Sequence, residues 1–351
     1  MIESINLLLN NKDQTGVAEL QAVLQELLGK NAKGRFLSEE MLLRSRVYRL
    51  KFEIEDTIRS FVVKRFTPSL AQLERNVVEK WLPQAGLSDN GPPLIGAAAE
   101  KSGKCIWHIY CDMGDSSLVN YIQDESIIRE AIDLLAKVHT SFADHIILAE
   151  CRMFGRNYDI NFYSSCVVEA MRILEHVKRL AKDIRPSWLA ILESLLQHLS
   201  LLFDMRSDRE KIMAEYNGME TMVHGDLWTK NFLVQPTDSG VRVLLIDWDH
   251  VGAGPVHYDL STLLLRFTQK DRPKILDWYQ DAISYMNWQL PGADILNSLF
   301  ETAEYARLAN ATIWPAIAAG QGQPEWAFND LIKIEGWFND MEPVFYNEKL
   351  N

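Results

Sequence analysis

Residues Val223–Val234 read VHGDLWTKNFLV, and residues Val243–Asp249 read VLLIDWD. They put Asp226, Asn231 and Asp247 on two short connections flanked by apolar, strand-forming runs. Asp247 follows the buried-looking run Val241–Ile246, so its carboxylate is expected to emerge at a strand end. An Asp alone could cap a turn or pair with an Arg, and an Asn alone could bond local backbone. Neither reading accounts for the three together in this order.

As a set they suit phosphoryl transfer. One carboxylate, Asp226, can orient a hydroxyl as general base, while the Asn231 amide oxygen and the Asp247 carboxylate can hold Mg2+ against ATP phosphates. Asp249, two residues on, is either a second ligand or support for the loop. His224 is expected to hold the same loop through its ring, with Asp259 as a carboxylate partner. Asp259 also fits the acidic first turn of a helix.

The surrounding pattern changes once along the chain. Val17–Leu28 has Leu20, Val23, Leu24, Leu27 and Leu28 at helical spacing, and Gly29 stops it. From Phe36 the runs 41–43, 47–54 and 59–66 read as strands, with Glu55 and Asp56 as the turn between the last two. A helix over 70–82 and strands over 94–98 and 105–111 complete a small antiparallel sheet, and helices dominate from Ile127 onward. The expected divisions are a helical extension over 1–35, a sheet-rich lobe over 36–113 and a helical lobe over 114–351. Lys64 lies in a strand among Phe61, Val62, Val63 and Phe66, where a cation needs a partner. Nucleotide phosphates and Glu74 on the following helix would supply one, with Glu79 as the alternative.

The net charge of -12 argues against a nucleic-acid partner. Cys105, Cys111, Cys151 and Cys166 form no CxxC pair and read as reduced thiols. Met1–Asn6 lacks the basic region and apolar core of a signal peptide, and no apolar run approaches the roughly 20 residues of a membrane span. The expectation is a cytoplasmic protein with no membrane partner.

The motifs HGDLWTKN and LLIDWD, with GAGPVHYDL beyond them, resemble the aminoglycoside phosphotransferase and choline kinase superfamily of kinase-like small-molecule phosphotransferases. HGDLW is also similar to fructosamine kinases. The resemblance covers about residues 36–345 and is most specific at 223–260. It implies an α+β, two-lobed protein-kinase-like fold with a small antiparallel-sheet N-lobe and a mainly helical C-lobe. It further implies Asp226 as base, Asn231 and Asp247 as magnesium ligands, and Lys64 with Glu74 as the ion pair gripping ATP. Tyr110, Cys111 and Asp112 would occupy the hinge, their backbone holding the adenine, and His139 would be structural. The turn Leu43-Arg44-Ser45-Arg46-Val47 departs from the family in lacking glycine; Ser45 could bond a phosphate and Arg44 or Arg46 could add charge.

Two rivals remain at this level. A protein kinase would need an activation segment, and the short path from Asp247 to Asp259 leaves no room for one. A pseudokinase-like binding module would lack at least one of Lys64, Asp226, Asn231 and Asp247, and all four are present. For the acceptor, Trp314, Trp326, Trp337, Glu325, Asp330, Glu335 and Asp340 would suit a cationic molecule through cation–π contacts. The same aromatics also fit helix packing.

Overall fold

The computed structural model describes residues 2–3, 9, 14–29, 33–43, 46–180, 185–216, 220–238, 240–322 and 324–346. The chain forms two compact units, Met1–Leu134 with Thr229–Asp249, and Leu135–Trp228 with His250–Asn351.

The first unit holds a six-stranded sheet of β1 (Ile2–Glu3), β2 (Gly34–Leu43), β3 (Val47–Ile54), β4 (Thr57–Phe66), β5 (Leu94–Ala99) and β6 (Ile106–Cys111). Their order is β1-β2-β3-β4-β6-β5, antiparallel except for the first pair. Glu55 and Asp56 both take positive φ, 48° and 62°, the two-residue turn whose twist matches the strands it joins. Alternation along β3 turns Tyr48, Leu50, Phe52 and Ile54 inward.

Helix α1 (Val17–Leu28) closes that core. Leu20, Leu24 and Leu28 lie one turn apart on one face and are buried in a cluster with Tyr48, Leu50, Phe52 and Trp107. The helix expected as an extension is therefore part of the first unit, because its leucine face has no other apolar surface to cover. Leu24→Ala should cost about 2–5 kcal/mol through lost transfer and the cavity left behind. Chemical denaturation checks this, and an unchanged midpoint would detach α1 from the core.

The helix expected over 70–82 is interrupted. After α2 (Pro68–Asn76) come a π turn over Val77–Trp81 and the short α3 (Leu82–Gln84). Leu82 N donates five residues back, to Val77 O. Pro83 has no N–H for the carbonyl of Glu79, and the wider turn accommodates it.

The hairpin of Phe232–Thr237 and Gly240–Leu245 also belongs to this unit rather than to the expected helical lobe. Val234 N donates to Ser116 O at 2.8 Å, and a Ser117–Leu233 bridge ties the same strand to the chain after β6. Those bonds explain why the sheet-rich unit takes up a segment so distant in sequence.

The boundary between the units' residues falls within α4 (Glu125–Phe142). The second unit contains α5 (Leu148–Phe154), α6 (Ile160–Leu180), α7 (Pro186–Asp204), α8 (Arg206–Glu215), α9 (His257–Leu264), α10 (Arg272–Ile283), α11 (Ala293–Gly322) and α12 (Glu325–Asn339). Its core joins Val167 and Leu174 of α6, Leu195 and Leu199 of α7, Ala309 and Ala316 of α11, and Phe328 and Leu331 of α12. Helix α8 escaped the sequence reading because it is almost wholly polar, burying only Arg209.

Gly252–Pro255, not expected as a strand, is the central strand of a three-stranded sheet between Arg156–Asn157 and Glu220–Val223. A Cβ on Gly252 would stand 2.3 Å from Arg156 O, so the glycine that looks like a break is what permits the strands to approach. Among the described residues no helix is long and apolar enough to cross a membrane, and all four cysteines are free thiols.

Candidate active site

Within the first unit, β4 carries Lys64 into a buried position. Its ammonium donates to Asp247 Oδ1 at 2.5 Å and to Asp249 Oδ1 at 2.8 Å, and stands 4.5 Å from the Phe66 ring centroid. Burial pulls this ammonium down, but Glu74, Asp247 and Asp249 together override it and raise its pKa. The expected direct Lys64–Glu74 pair gives way here: among the described residues the ion pairs of Lys64 are with Asp247 and Asp249, while Glu74 acts on it through charge. The reason is competition, since two carboxylates at the end of the neighbouring hairpin sit closer than the helix one.

Glu74 on α2 is buried, accepting a bond from Tyr110 OH at 3.3 Å. Its Oε2 has no hydrogen-bond partner among the described residues. Glu79 is exposed and pairs with Arg75 at 2.5 Å, so Glu74 is the helix carboxylate beside Lys64. Burial, opposed by Lys64, pushes Glu74 up to about 7. A raised carboxyl stabilises the fold fully below its ordinary value near 4.5 and loses that contribution as pH rises through about 7. Glu74→Gln should therefore flatten the decline of stability across this window, read as denaturation midpoint against pH. An unaltered slope would show that the carboxyl is not raised.

The 3₁₀ turn Thr229–Asn231 leads into the hairpin, whose first register pair is Phe232 with Leu245. One step beyond, Ile246 N donates to Asn231 O at 3.0 Å, so Asn231 and Asp247 belong to the same hairpin end. Asp247 holds φ at 69°, a left-handed conformation that a non-glycine residue adopts at a cost. Lys64, Glu74, Tyr110, Asn231 and Asp247 line one cavity of about 400 Å³, with Val62 and Leu233 among its apolar walls. The donor set fits magnesium: an amide oxygen and a carboxylate are hard ligands, few enough to leave the rest of the shell to phosphates and water.

Asp112 follows β6, and its carboxylate is spent on Arg49 at 2.8 Å, on Ser60 and on Gly114 N. Its side chain braces β3 and β4, and only its backbone stays in question for a ligand. Ser45 and Arg44 lie outside the described residues. Arg46 donates to Asp249 Oδ2 at 3.0 Å. Asp249, read from sequence as either ligand or support, thus gathers both Lys64 and Arg46.

Asp226 belongs to the second unit. The loop before it is clasped by Asp259, a fully buried carboxylate on α9 that accepts from His224 N at 2.6 Å and Gly225 N at 2.8 Å. His139 approaches the same carboxylate at 3.2 Å and bonds Tyr279 OH through its other ring nitrogen. Burial would raise Asp259, but His139 and the His224 backbone outweigh it and hold the carboxyl below its usual range. Gly225 has φ 80°, and a Cβ there would stand 2.1 Å from His250 O. Only glycine fits, which places the next side chain, Asp226. The Asp226 backbone N donates to His224 Nδ1 at 3.4 Å.

The indole N–H of Trp228 donates to Asp226 Oδ1 at 2.6 Å. Asp226 and Trp228 line a second cavity, about 480 Å³, together with Arg266, Arg307, Trp337 and Asp340. Of the aromatic and acidic residues expected to receive an acceptor, Trp337 and Asp340 are here. Trp314 and Trp326 are 67% and 46% exposed, and neither they nor Glu325, Asp330 and Glu335 line it. Glu335 accepts from Ser194 and Asn339, and Asp330 pairs with Lys333. The four arginines of this cavity, Arg156, Arg266, Arg272 and Arg307, carried no signal in sequence because they are spread over about 150 positions of the chain.

Comparison with curated proteins finds no match to the sequence. Among solved structures the fold is similar to choline kinase LicA from Streptococcus pneumoniae, at 16% identity and TM-score 0.52 over 92% of this chain and 99% of that one. It is also similar to a Plasmodium vivax ethanolamine kinase, at 13% identity and TM-score 0.57 over 88% and 83% of the two chains. A GDP complex of an aminoglycoside 2′-phosphotransferase aligns at 9% identity and TM-score 0.58, over 92% and 97%. These likenesses establish a kinase-like α+β fold. The sequence profile of the phosphotransferase enzyme family matches residues 42–293, well over half of the chain, and the protein therefore belongs to that family.

Proposed function

We propose that this phosphotransferase is a small-molecule kinase moving the γ-phosphoryl group of ATP to a hydroxyl, with Asp226 as base. The observation that carries this reading is the single cavity lined by Lys64, Glu74, Asn231 and Asp247. Cation, hard oxygen donors and apolar walls are what a magnesium nucleotide requires.

Lys64 exchanges its bonds to Asp247 and Asp249 for nucleotide phosphate oxygens, and Glu74 keeps it charged and oriented. Asn231 and Asp247 would hold magnesium. When bound, magnesium supplies charge neutralisation to the phosphate oxygens. Arg46, held by Asp249, adds positive charge in the glycine-free turn. Asp226, oriented by the Trp228 indole, receives the proton of the acceptor hydroxyl. The clasp of Asp259 on the loop keeps that carboxylate in place. That similar structures include a choline kinase, an ethanolamine kinase and a GDP complex of an aminoglycoside phosphotransferase agrees with this class of reaction.

ADP release with Mg·ATP across hydroxylated amines, sugars and acids tests the reading. Turnover on a peptide but on no small molecule would overturn it.

A further inference from the structure

The cavity at Asp226 is lined by four guanidinium groups, those of Arg156, Arg266, Arg272 and Arg307. Among the described residues only Arg307 of these four forms an ion pair with a carboxylate. Arg266 donates through Nε to Thr262 O at 3.3 Å and lies 3.7 Å over the Trp228 ring, the same ring whose N–H holds Asp226. Arg272 donates to two backbone carbonyls, Phe267 O at 3.2 Å and Val344 O at 3.1 Å. Among the described residues neither these two nor Arg156 forms an ion pair with a carboxylate. Arg307 is taken up by Glu304 at 2.5 Å and by Tyr258 O at 3.0 Å.

The wall also carries four carboxylates, Asp226, Glu304, Asp340 and Glu342. Glu304 is taken up by Ser261, Thr262 and Arg307, and Glu342 accepts from Tyr346 OH. Carbonyls satisfy N–H groups without neutralising a cation, and burial outweighs the pull of Glu304 and Asp226 on Arg266 and of Glu342 on Arg272, so an arriving anion would relieve both. Burial holds Arg266 below its ordinary range, and Arg307 and Arg272 push the same way against Glu304 and Asp226. Planar forks with open N–H groups match the two oxygens of a carboxylate or a phosphate.

We infer that the acceptor is a small hydroxylated anion, carrying a carboxylate or a phosphate that Arg266 and Arg156 bind while its hydroxyl faces Asp226. This rests on the small-molecule kinase reading above and replaces the cationic acceptor expected from the C-terminal aromatics. In the reaction the acceptor O–H bond breaks and its proton passes to Asp226. The oxygen forms a bond to the γ-phosphorus, and the bond from that phosphorus to the β,γ-bridging oxygen breaks, releasing ADP.

Binding and turnover are measured separately on the full chain. The probes are glycerate as a carboxylate, glycerol 3-phosphate as a phosphate, glycerol as neutral, and choline and ethanolamine as cations. Calorimetry without nucleotide should show binding by one anionic arm and not by glycerol, choline or ethanolamine; the arm that binds distinguishes carboxylate from phosphate. Arg266→Gln should weaken that binding, and raise the acceptor KM, about 10- to 100-fold with the KM for ATP unchanged. Arg156→Gln, which breaks no ion pair, serves as the second variant and should act in the same direction. Choline or ethanolamine binding as tightly as the anions, or no binding by either anionic arm, overturns the inference. Anion binding lost in the variants but without ADP release from any probe leaves the anion site standing and counts against the kinase reading instead.

Discussion

Asp226→Asn should lower kcat by roughly 10²–10⁴-fold, the usual contribution of a positioned general base. The amide keeps an oxygen where Oδ1 accepts the Trp228 indole N–H at 2.6 Å, so the loop and its clasp by Asp259 stay in place. What is lost is the lone pair basic enough to take a proton. The KM for ATP should not change, because Asp226 lines the arginine-rich cavity and not the one holding Lys64. Steady-state ADP release against ATP and against acceptor separates the two constants. A variant retaining wild-type kcat on a genuine acceptor would remove Asp226 from the role of base.

Asp247→Ala should act on a different quantity. Loss of a charged oxygen ligand should weaken magnesium-dependent ATP binding by about 10²-fold, on the order of 3 kcal/mol. Magnesium-free binding should change little or improve. The physical reason is the bond from Lys64 to Asp247 Oδ1, which competes with phosphate for the ammonium. The alanine also relieves none of the conformational cost at φ 69°, since only glycine adopts it freely, so a modest stability loss is not expected to be recovered. Calorimetry with ATP in magnesium and in chelator distinguishes these outcomes. Equal affinity of wild type and variant for Mg·ATP would sink the metal role.

Much of the fold was legible because it rests on local periodicity. Leucines one turn apart announced α1, alternation announced β3 and β4, and Glu55-Asp56 announced the turn between them. Lys64 stood out for a similar reason, as a cation in an apolar strand. Where local pattern was weak or contradictory the reading failed. Gly252–Pro255 has the composition of a loop and is a central strand, because close approach of Arg156–Asn157 demands glycine there. Helix α2 looked continuous through Leu82 until Pro83 forced a wider turn before it. The leucine face of α1 was visible, but not that the sheet would take it into its core.

The sequence by itself determined the chemistry on offer: an Asp, an Asn and a second Asp at strand ends, and a lysine needing a partner. It determined these because residue type and spacing along one strand or helix are properties of neighbours in the chain. Only the tertiary structure decided which charges meet. Lys64 finds Asp247 and Asp249, more than 180 positions away, ahead of the helix Glu74 ten residues on. Four arginines distant along the chain line the same cavity as Asp226, while Trp314, Trp326, Glu325, Asp330 and Glu335 of the C-terminal helices do not. Coulomb energy depends on distance and burial in space, and neither can be read from separation in sequence.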